Sequence, residues 1–181
     1  DLSLLASEWA SFTKNTSASK AESARSFKTL PLGVTSSFQH WDPYPISIAS
    51  AKGAWMTDVD GRQLLDLSMG FGAMLAGHLN PQVVAEAKSA LETGMLFVTP
   101  SPISTDAAER ICRRFGIDQV RFTNSGTEST MYAVRVARSA TGKHGIVKVE
   151  GGYHGSYDPF VVSSKPSLDK VGDAENPTPA I

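Results

Sequence analysis

Asn124–Glu128 carries two hydroxyl side chains and a glycine immediately before a helix-like stretch. Gly126 lets the backbone approach a ligand closely, and Ser125 and Thr127 add hydroxyl donors beside the free amides of a helix's first turn. Those amides and the positive end of the helix dipole favour a phosphate group. The same pattern is typical of a structural cap, in which Ser125 caps the helix and Glu128 completes a capping box. The spacing alone leaves both interpretations open.

Glu150–Tyr157 places an aromatic ring and an imidazole between glycines. Tyr153 could offer a ring face to a flat heteroaromatic ligand, and His154 could form a hydrogen bond or contact a substrate. A glycine-rich turn with a half-buried tyrosine is the plainer alternative. A phosphate cradle together with a stacking aromatic ring suits a flat, phosphorylated cofactor.

Other chemistries lack their motifs. The stretch around Ser125 contains no Walker loop, no G-x-G-x-x-G and no G-x-S-x-G, so nucleotide binding and serine hydrolysis lose their main support. We expect no metal site, because the histidines are scattered without paired ligand spacing. They are His40, His78, His144 and His154.

The elements that must position these segments follow the order strand, helix, strand. Runs of β-forming residues at 119–123 and 146–149 flank a helical pattern from Gly126 to Thr141. A unit of this length predicts a parallel pair of strands in an α/β layered domain. Ligands in such folds bind at the carboxyl ends of strands, which is where both segments lie.

The N-terminal part has a different texture. Residues 3–28 show loosely helical apolar spacing with a polar interruption, which indicates two short helices that end before Pro31. Short alternating runs between residues 46 and 67, with an Asp-Gly turn, predict a small antiparallel meander. Further helices are predicted at Asn80–Gly94 and at 105–115.

Composition excludes several classes of protein. The chain has 181 residues, with 17 basic and 18 acidic side chains and a net charge of −1, so we expect no nucleic-acid partner and no polybasic membrane surface. One cysteine, no secretory signal and no apolar run of membrane-spanning length predict a cytoplasmic protein. The start without Met and the polar, proline-bearing tail from Lys170 indicate a cut chain.

An ordered set of motifs resembles the class III aminotransferases that use pyridoxal 5′-phosphate (PLP). The motifs are Phe122–Glu128, then Ala133–Arg138 with Thr141–Lys143, then Gly152–Gly155. Within that family, the chain is most similar to the branch around glutamate-1-semialdehyde 2,1-aminomutase. Asp58–Gly61 and Gly77–Pro81 also match, so the likeness covers most of the chain from about residue 31. The ordered set is specific, whereas any one motif is weak.

The resemblance implies a role for each candidate site residue. Ser125, Gly126 and Thr127 would hold the cofactor phosphate, Tyr153 would lie against the pyridine ring, and His154 would lie close by. We expect no catalytic residue in this chain. In the family, the Schiff-base lysine and the acidic partner of the pyridine nitrogen both follow the Tyr-His-Gly motif well downstream.

The fold implied is α/β, of type I (aspartate-aminotransferase-like), and only part of it is expected here. Residues 1–80 would form the N-terminal helices and meander of the small domain and interface. Residues 81–181 would begin the PLP-binding large domain with its mainly parallel sheet. The expected partners are a small-molecule amino donor and oxo acceptor, a second copy in a homodimer, and the missing C-terminal half in the same or a separate chain.

Two positions depart from the aminomutase pattern. Gln39 stands where that pattern has an arginine that binds the substrate carboxylate, and Phe71 stands where it has tryptophan. A neutral amide cannot form the charge-assisted, bidentate contact that arginine gives a carboxylate. Both residues are expected to contact substrate.

We therefore predict PLP-dependent amino-group transfer, with the complete enzyme active and this chain alone inactive. Isomerisation of glutamate-1-semialdehyde is the nearest alternative. A non-catalytic module that retains the phosphate loop is a second alternative, and a nucleotide-phosphate binder that uses the same helix terminus is a third.

Overall fold

The structure is a computed structural model that describes residues 2–164, 166–171 and 175. The chain forms two compact units, with the boundary between Phe97 and Val98. The predicted division after residue 80 refers to the domains that the family resemblance implies and stays a prediction. Most of the polar tail from Lys170 onward lies outside the described residues.

The first unit begins with two helices, α1 (Leu2–Asn15) and α2 (Ser17–Ser26), which confirms the interrupted helical pattern. Thr16 lies between them and is fully buried. Its hydroxyl donates to the Phe12 carbonyl at 2.6 Å and lies 2.9 Å from the Tyr44 hydroxyl. Two single-turn 3-10 helices follow, at Pro31–Gly33 and Ser37–Gln39.

The predicted antiparallel meander is confirmed, with strand bounds that differ by a few residues. It consists of β1 (Ile48–Lys52), β2 (Trp55–Asp58) and β3 (Gln63–Leu65), in that spatial order. Buried Asp58 organises the β2–β3 turn: its carboxylate accepts the N–H groups of Asp60 at 3.0 Å and Arg62 at 2.8 Å. The Arg62 guanidinium adds a third bond at 2.7 Å. Burial alone would raise the pKa of Asp58, but these hydrogen bonds and the adjacent cation outweigh it and lower that pKa.

Helix α3 (Pro81–Thr93) also confirms its predicted signals. Proline occupies the first helical position, where its missing N–H costs no hydrogen bond. The Asn80 side-chain oxygen accepts the N–H groups of Gln82 at 3.0 Å and Val83 at 3.2 Å. The helix ends before Gly94, as the sequence indicated.

The second unit contains the helices α4 (Pro102–Phe115), α5 (Gly126–Thr141) and α6 (Asp158–Val161) and a 3-10 turn at Leu168–Lys170. Helix α5 has the bounds that the sequence predicts. Helix α4 begins three residues earlier than expected, because Ser101 and Pro102 supply the start. Left-handed Gly116 and Gly142 terminate α4 and α5.

The two predicted strands of this unit do not form. Residues 119–123 and 146–149 have no strand pairing in the part of the chain that the structure describes. Strands of a parallel sheet are covered on both faces and need hydrogen-bonded neighbours. Val147 is instead 98% exposed and Val149 is 72% exposed. These segments therefore lack the neighbours that would make them strands.

The apolar core is small. Among the described residues, the buried hydrophobic side chains are Tyr44, Val134 and Phe160. Many large apolar side chains are exposed, including Leu75 and Leu96. No helix in the described ranges is long and apolar enough to cross a bilayer.

Candidate functional site

The turn before α5 forms the cap that its spacing allows. Ser125 is the N-cap residue, and its Oγ accepts the Glu128 N–H at 3.2 Å. The Glu128 carboxylate returns to the Asn124 N–H at 2.7 Å, one residue earlier than in a standard capping box. Helix geometry leaves the N–H groups of Gly126 and Thr127 without an intrahelical acceptor. The serine cap thus uses the N–H of Glu128 and leaves the N–H groups of Gly126 and Thr127 available to a ligand.

Capping does not preclude anion binding at this turn. The Ser125 hydroxyl accepts one bond and keeps its own proton to donate. Gly126 is exposed, and a Cβ built on it would meet nothing within 4 Å. Its φ is outside the left-handed region, so nothing in the described chain requires a glycine there. Open space at Gly126, beside two amides and two hydroxyls, fits a phosphate group.

The glycine-rich segment Gly151–Tyr157 lies directly against this turn. The Ser156 N–H donates to Thr127 Oγ1 at 3.1 Å, and Thr130 Oγ1 donates to the His154 carbonyl at 2.9 Å. Gly155 is buried with φ +97°, and a Cβ on it would lie 2.8 Å from Thr127 Cα. The two sequence segments therefore meet, although the strands expected to carry them are not paired.

Tyr153 and His154 differ in exposure. The Tyr153 side chain is 68% exposed, and its hydroxyl lies 3.4 Å from Ser156 Oγ. His154 is partly buried, with its ring against the edge of Phe160 at a centroid distance of 5.9 Å. The plainer alternative for this segment, a half-buried tyrosine, is not what the structure has. The tyrosine ring is largely exposed.

Gln39 and Phe71 both line one cleft in the first unit, of about 1120 Å³. Gln39 Oε1 accepts the Thr35 hydroxyl at 2.7 Å and the Ser36 N–H at 3.2 Å, so its amide NH₂ is the group left to contact a ligand. The Phe71 ring packs edge-on against Phe38 at 5.3 Å.

The charge of this cleft is distinctive. Its described lining contains Glu22 and Asp42 but no lysine, arginine or histidine. Most of the remaining lining is aromatic or aliphatic, including Trp9, Phe12, Phe38, Trp41, Tyr44 and Ile46. Glu22 is already paired with the Arg25 guanidinium, which does not line the cleft, so the described lining itself offers no cation to a carboxylate.

A buried carboxylate holds the loop that carries Phe71. Asp66 accepts the N–H groups of Ser68 at 2.9 Å and Met69 at 2.8 Å, and it lies 2.7 Å from His78 Nε2. The His78 hydrogen bond, followed by the two amides, lowers the pKa of Asp66. Phe71 itself has φ +55°, a strained backbone conformation for a residue other than glycine.

Sequence reasoning missed the residues that join these elements. Thr130, Gly155 and Ser156 fix the glycine-rich segment to α5, and Asp66 pairs with His78 across 12 residues. Their partners are distant in the chain, so no local pattern indicates them.

Comparison with known proteins identifies the family. The model of the class-III aminotransferases matches residues 37–172, which span both units. The chain belongs to this family. Its motifs from residue 122 to 155 fall within the matched region, and the resemblance drawn from them is confirmed.

The relatives include both aminomutases and transaminases. Glutamate-1-semialdehyde 2,1-aminomutase of Methanothrix thermoacetophila is 37% identical over 161 residues, which cover 88% of this chain and 38% of that protein. The solved omega-transaminase from Sphaerobacter thermophilus is 36% identical with a TM-score of 0.84, over 91% of this chain and 38% of that one. A solved glutamate-1-semialdehyde aminomutase from Pseudomonas aeruginosa PAO1 is 25% identical with a TM-score of 0.86, over 98% and 38%.

These similarities confirm the fold class. The chain has the α/β type I fold in part, since it spans about 38% of the length of these relatives. Identity is nearly equal for the first two of these relatives, 37% and 36%. Overall similarity therefore does not distinguish an isomerase from a transaminase.

Proposed function

We propose that this chain provides the cofactor phosphate site of a PLP-dependent aminotransferase. The observation that supports it most is the contact between the Gly151–Tyr157 segment and the first turn of α5, made by the Ser156 N–H and Thr127 Oγ1. This contact holds Ser156 against the turn before α5, and the exposed Tyr153 ring lies three residues before Ser156 in the chain. A solved transaminase that is 36% identical to this chain is described as having PLP bound.

Each residue of the proposed site has a distinct task. The hydroxyls of Ser125 and Thr127, and the amides of Gly126 and Thr127, donate to the phosphate, and the α5 dipole adds a favourable field. The Tyr153 ring would cover the pyridine ring, and His154 would lie close by. When bound, PLP supplies the electron sink through which an amino group passes from a donor to an oxo acceptor.

The reactive lysine and the acid that faces the pyridine nitrogen are proposed to lie outside residues 1–181. Lys148 does not suit the first role, since its ammonium group donates to the Val162 carbonyl at 2.7 Å and lies 3.5 Å from that of Ser163. We infer that the complete enzyme is a cytoplasmic homodimer and that residues 1–80 belong to its small domain. The single, unpaired Cys112 is consistent with a reducing compartment.

The cleft that contains Gln39 and Phe71 favours amino-group transfer over the aminomutase reaction. Glutamate-1-semialdehyde carries a carboxylate, and the described lining of this cleft offers acidic and apolar side chains but no cation. Burial of an unpaired carboxylate there would be costly. A donor whose substituent is apolar fits this lining better. The aminomutase reaction is the second candidate, because a glutamate-1-semialdehyde 2,1-aminomutase is 37% identical to this chain.

A half-reaction assay tests the proposed function. The full-length polypeptide that contains this chain is loaded with PLP and mixed with amines that carry apolar substituents. We expect the visible band of PLP to convert to that of pyridoxamine 5′-phosphate, and an oxo acid to reverse the change. No conversion with any amine, by a folded protein that has bound PLP, would contradict the proposal.

Gln39→Arg separates the two candidate reactions. The variant introduces a bidentate cation at the cleft, so we expect the KM for a carboxylate-bearing substrate to fall about tenfold. Gln82→Arg, at an exposed position of α3, adds the same charge as a control. The aminomutase reading gains support instead if the unmodified enzyme isomerises glutamate-1-semialdehyde faster than it transfers any amino group.

A further inference from the structure

Thr130 connects the two halves of the proposed cofactor site without belonging to either. It lies on α5, five residues after Ser125, and its hydroxyl is partly buried. The Oγ1 atom is 2.9 Å from the His154 carbonyl, 3.0 Å from that of Thr127 and 3.1 Å from that of Gly126.

The hydroxyl proton of Thr130 is assigned to the hydrogen bond with the His154 carbonyl. Carbonyls of helix residues already accept the N–H four positions later, so those of Gly126 and Thr127 are satisfied by α5 itself. Within residues 2–164, 166–171 and 175, the Thr130 hydroxyl is the one donor to the His154 carbonyl. Loss of this bond would leave a partly buried acceptor unpaired.

The neighbouring contacts make this bond a determinant of position. Gly155 packs against Thr127 with no room for a Cβ, and the Ser156 N–H is bonded to Thr127 Oγ1. Those contacts fix the segment after His154, whereas Thr130 fixes the His154 backbone itself. Tyr153 immediately precedes His154 in the chain, so the Thr130 bond constrains where its exposed ring stands relative to the phosphate turn.

We infer that Thr130 is a positioning residue that holds the ring-covering segment in register with the phosphate turn. This inference rests on the proposed function, since it assigns Thr130 a role toward PLP. In this inference Thr130 acts through the His154 backbone and not through contact with the phosphate or the pyridine ring. Its loss should weaken binding of the ring while phosphate binding is retained.

Two ligands distinguish these effects in the full-length polypeptide. Pyridoxamine 5′-phosphate requires both subsites and forms no bond to a lysine, whereas inorganic phosphate requires only the turn. For Thr130→Val we expect the Kd of pyridoxamine 5′-phosphate to rise about tenfold, and that of inorganic phosphate to change by less than about twofold. Thr130→Ser keeps the hydroxyl and should restore the affinity.

Thr13→Val is the matched control. Thr13 also bonds back to carbonyls of its own helix, those of Trp9 and Ala10, but to no other element. It should leave both dissociation constants unchanged. If Thr130→Val does not fold, Thr130→Cys, which has a weak donor of similar size, serves in its place with a smaller rise in the same Kd.

A double-mutant cycle with Tyr153→Leu tests the route of the effect. If Thr130 acts through the segment, Thr130→Val should change the Kd of pyridoxamine 5′-phosphate by less than about twofold in the Tyr153→Leu background. Additive effects, equal losses for the two ligands, or no difference from Thr13→Val would overturn the inference. Absence of pyridoxamine 5′-phosphate binding by the unmodified protein would contradict the proposed function instead.

Discussion

Ser125 has two tasks that one hydroxyl can perform together. Its oxygen accepts the Glu128 N–H, which caps α5, and its proton remains for an anion. The sequence left capping and phosphate binding as alternatives. The geometry makes them compatible, because the cap uses the acceptor and a phosphate would use the donor.

Substitution by aspartate separates the two tasks. Aspartate is as good an N-cap as serine, so Ser125→Asp should keep the free energy of unfolding within about 0.5 kcal/mol. Its charge should repel a phosphate and raise the Kd of PLP more than about tenfold. Thermal unfolding and fluorescence titration measure the two effects, and unchanged PLP affinity would leave Ser125 only the capping role.

Gly126 and Gly155 are expected to respond oppositely to alanine. Gly126→Ala adds a methyl group where the described chain has open space, so stability should be kept while PLP affinity falls. Gly155→Ala forces a Cβ to within 2.8 Å of Thr127 Cα at φ +97°, and should cost about 1–3 kcal/mol of folding free energy. Chemical denaturation and PLP titration check both variants. Equal destabilisation would show that Gly126 has a structural role.

At the level of elements, the turn of the meander caps a helix more than 40 residues earlier in the chain. Thr16, the N-cap residue of α2, makes no side-chain cap bond. The Asp60 carboxylate replaces it, accepting the N–H groups of Ala18 at 2.6 Å and Ser19 at 3.0 Å and the Ser19 hydroxyl at 2.6 Å. This carboxylate therefore joins α2 to the β2–β3 turn.

Asp60→Asn should make the first unit less stable in a pH-dependent way. The Ser19 hydroxyl, then the two amides, lower the pKa of Asp60 below its unfolded value of about 3.9. Its contribution is thus complete above that unfolded value and is lost as the pH falls through the folded one. The urea midpoint of the variant should lie below that of the unmodified protein at pH 7, and the difference should shrink below about pH 4. Asp106→Asn, at an exposed position of α4, is the control, and a difference independent of pH would contradict this role.

Local elements were predictable and long-range connections were not. The helix from Gly126 to Thr141 and the capped start of α3 follow from signals within a few residues. The Asp60 cap and the Thr130 bond join residues 24 or more positions apart, which no periodicity encodes. Of the candidate site, the sequence supplied the residue types and their two segments, whereas the contact between segments required the fold.

The two strands predicted in the second unit do not form because, among the described residues, they lack neighbouring strands, which is a property of the whole molecule. Residues 119–123 and 146–149 have strand-forming side chains, yet a parallel strand is stable only between neighbours. The chain spans about 38% of its relatives, and many apolar side chains are exposed in the described part. We propose that these segments become strands in the complete enzyme.

Hydrogen exchange tests this expectation. In the full-length polypeptide, the amides of residues 119–123 and 146–149 should exchange slowly, because a sheet would bond them. In residues 1–181 alone they should exchange rapidly, while those of the middle of α5 remain protected. Rapid exchange in both proteins would mean that the two segments are not strands.

The crystal structure of the full-length polypeptide with PLP tests the central claim most directly. We predict a phosphate oxygen within about 3.2 Å of the Gly126 or Thr127 amide and of the Ser125 or Thr127 hydroxyl, with the Tyr153 ring against the pyridine. PLP bound with its phosphate away from this turn, or with Tyr153 remote from its ring, would contradict the claim.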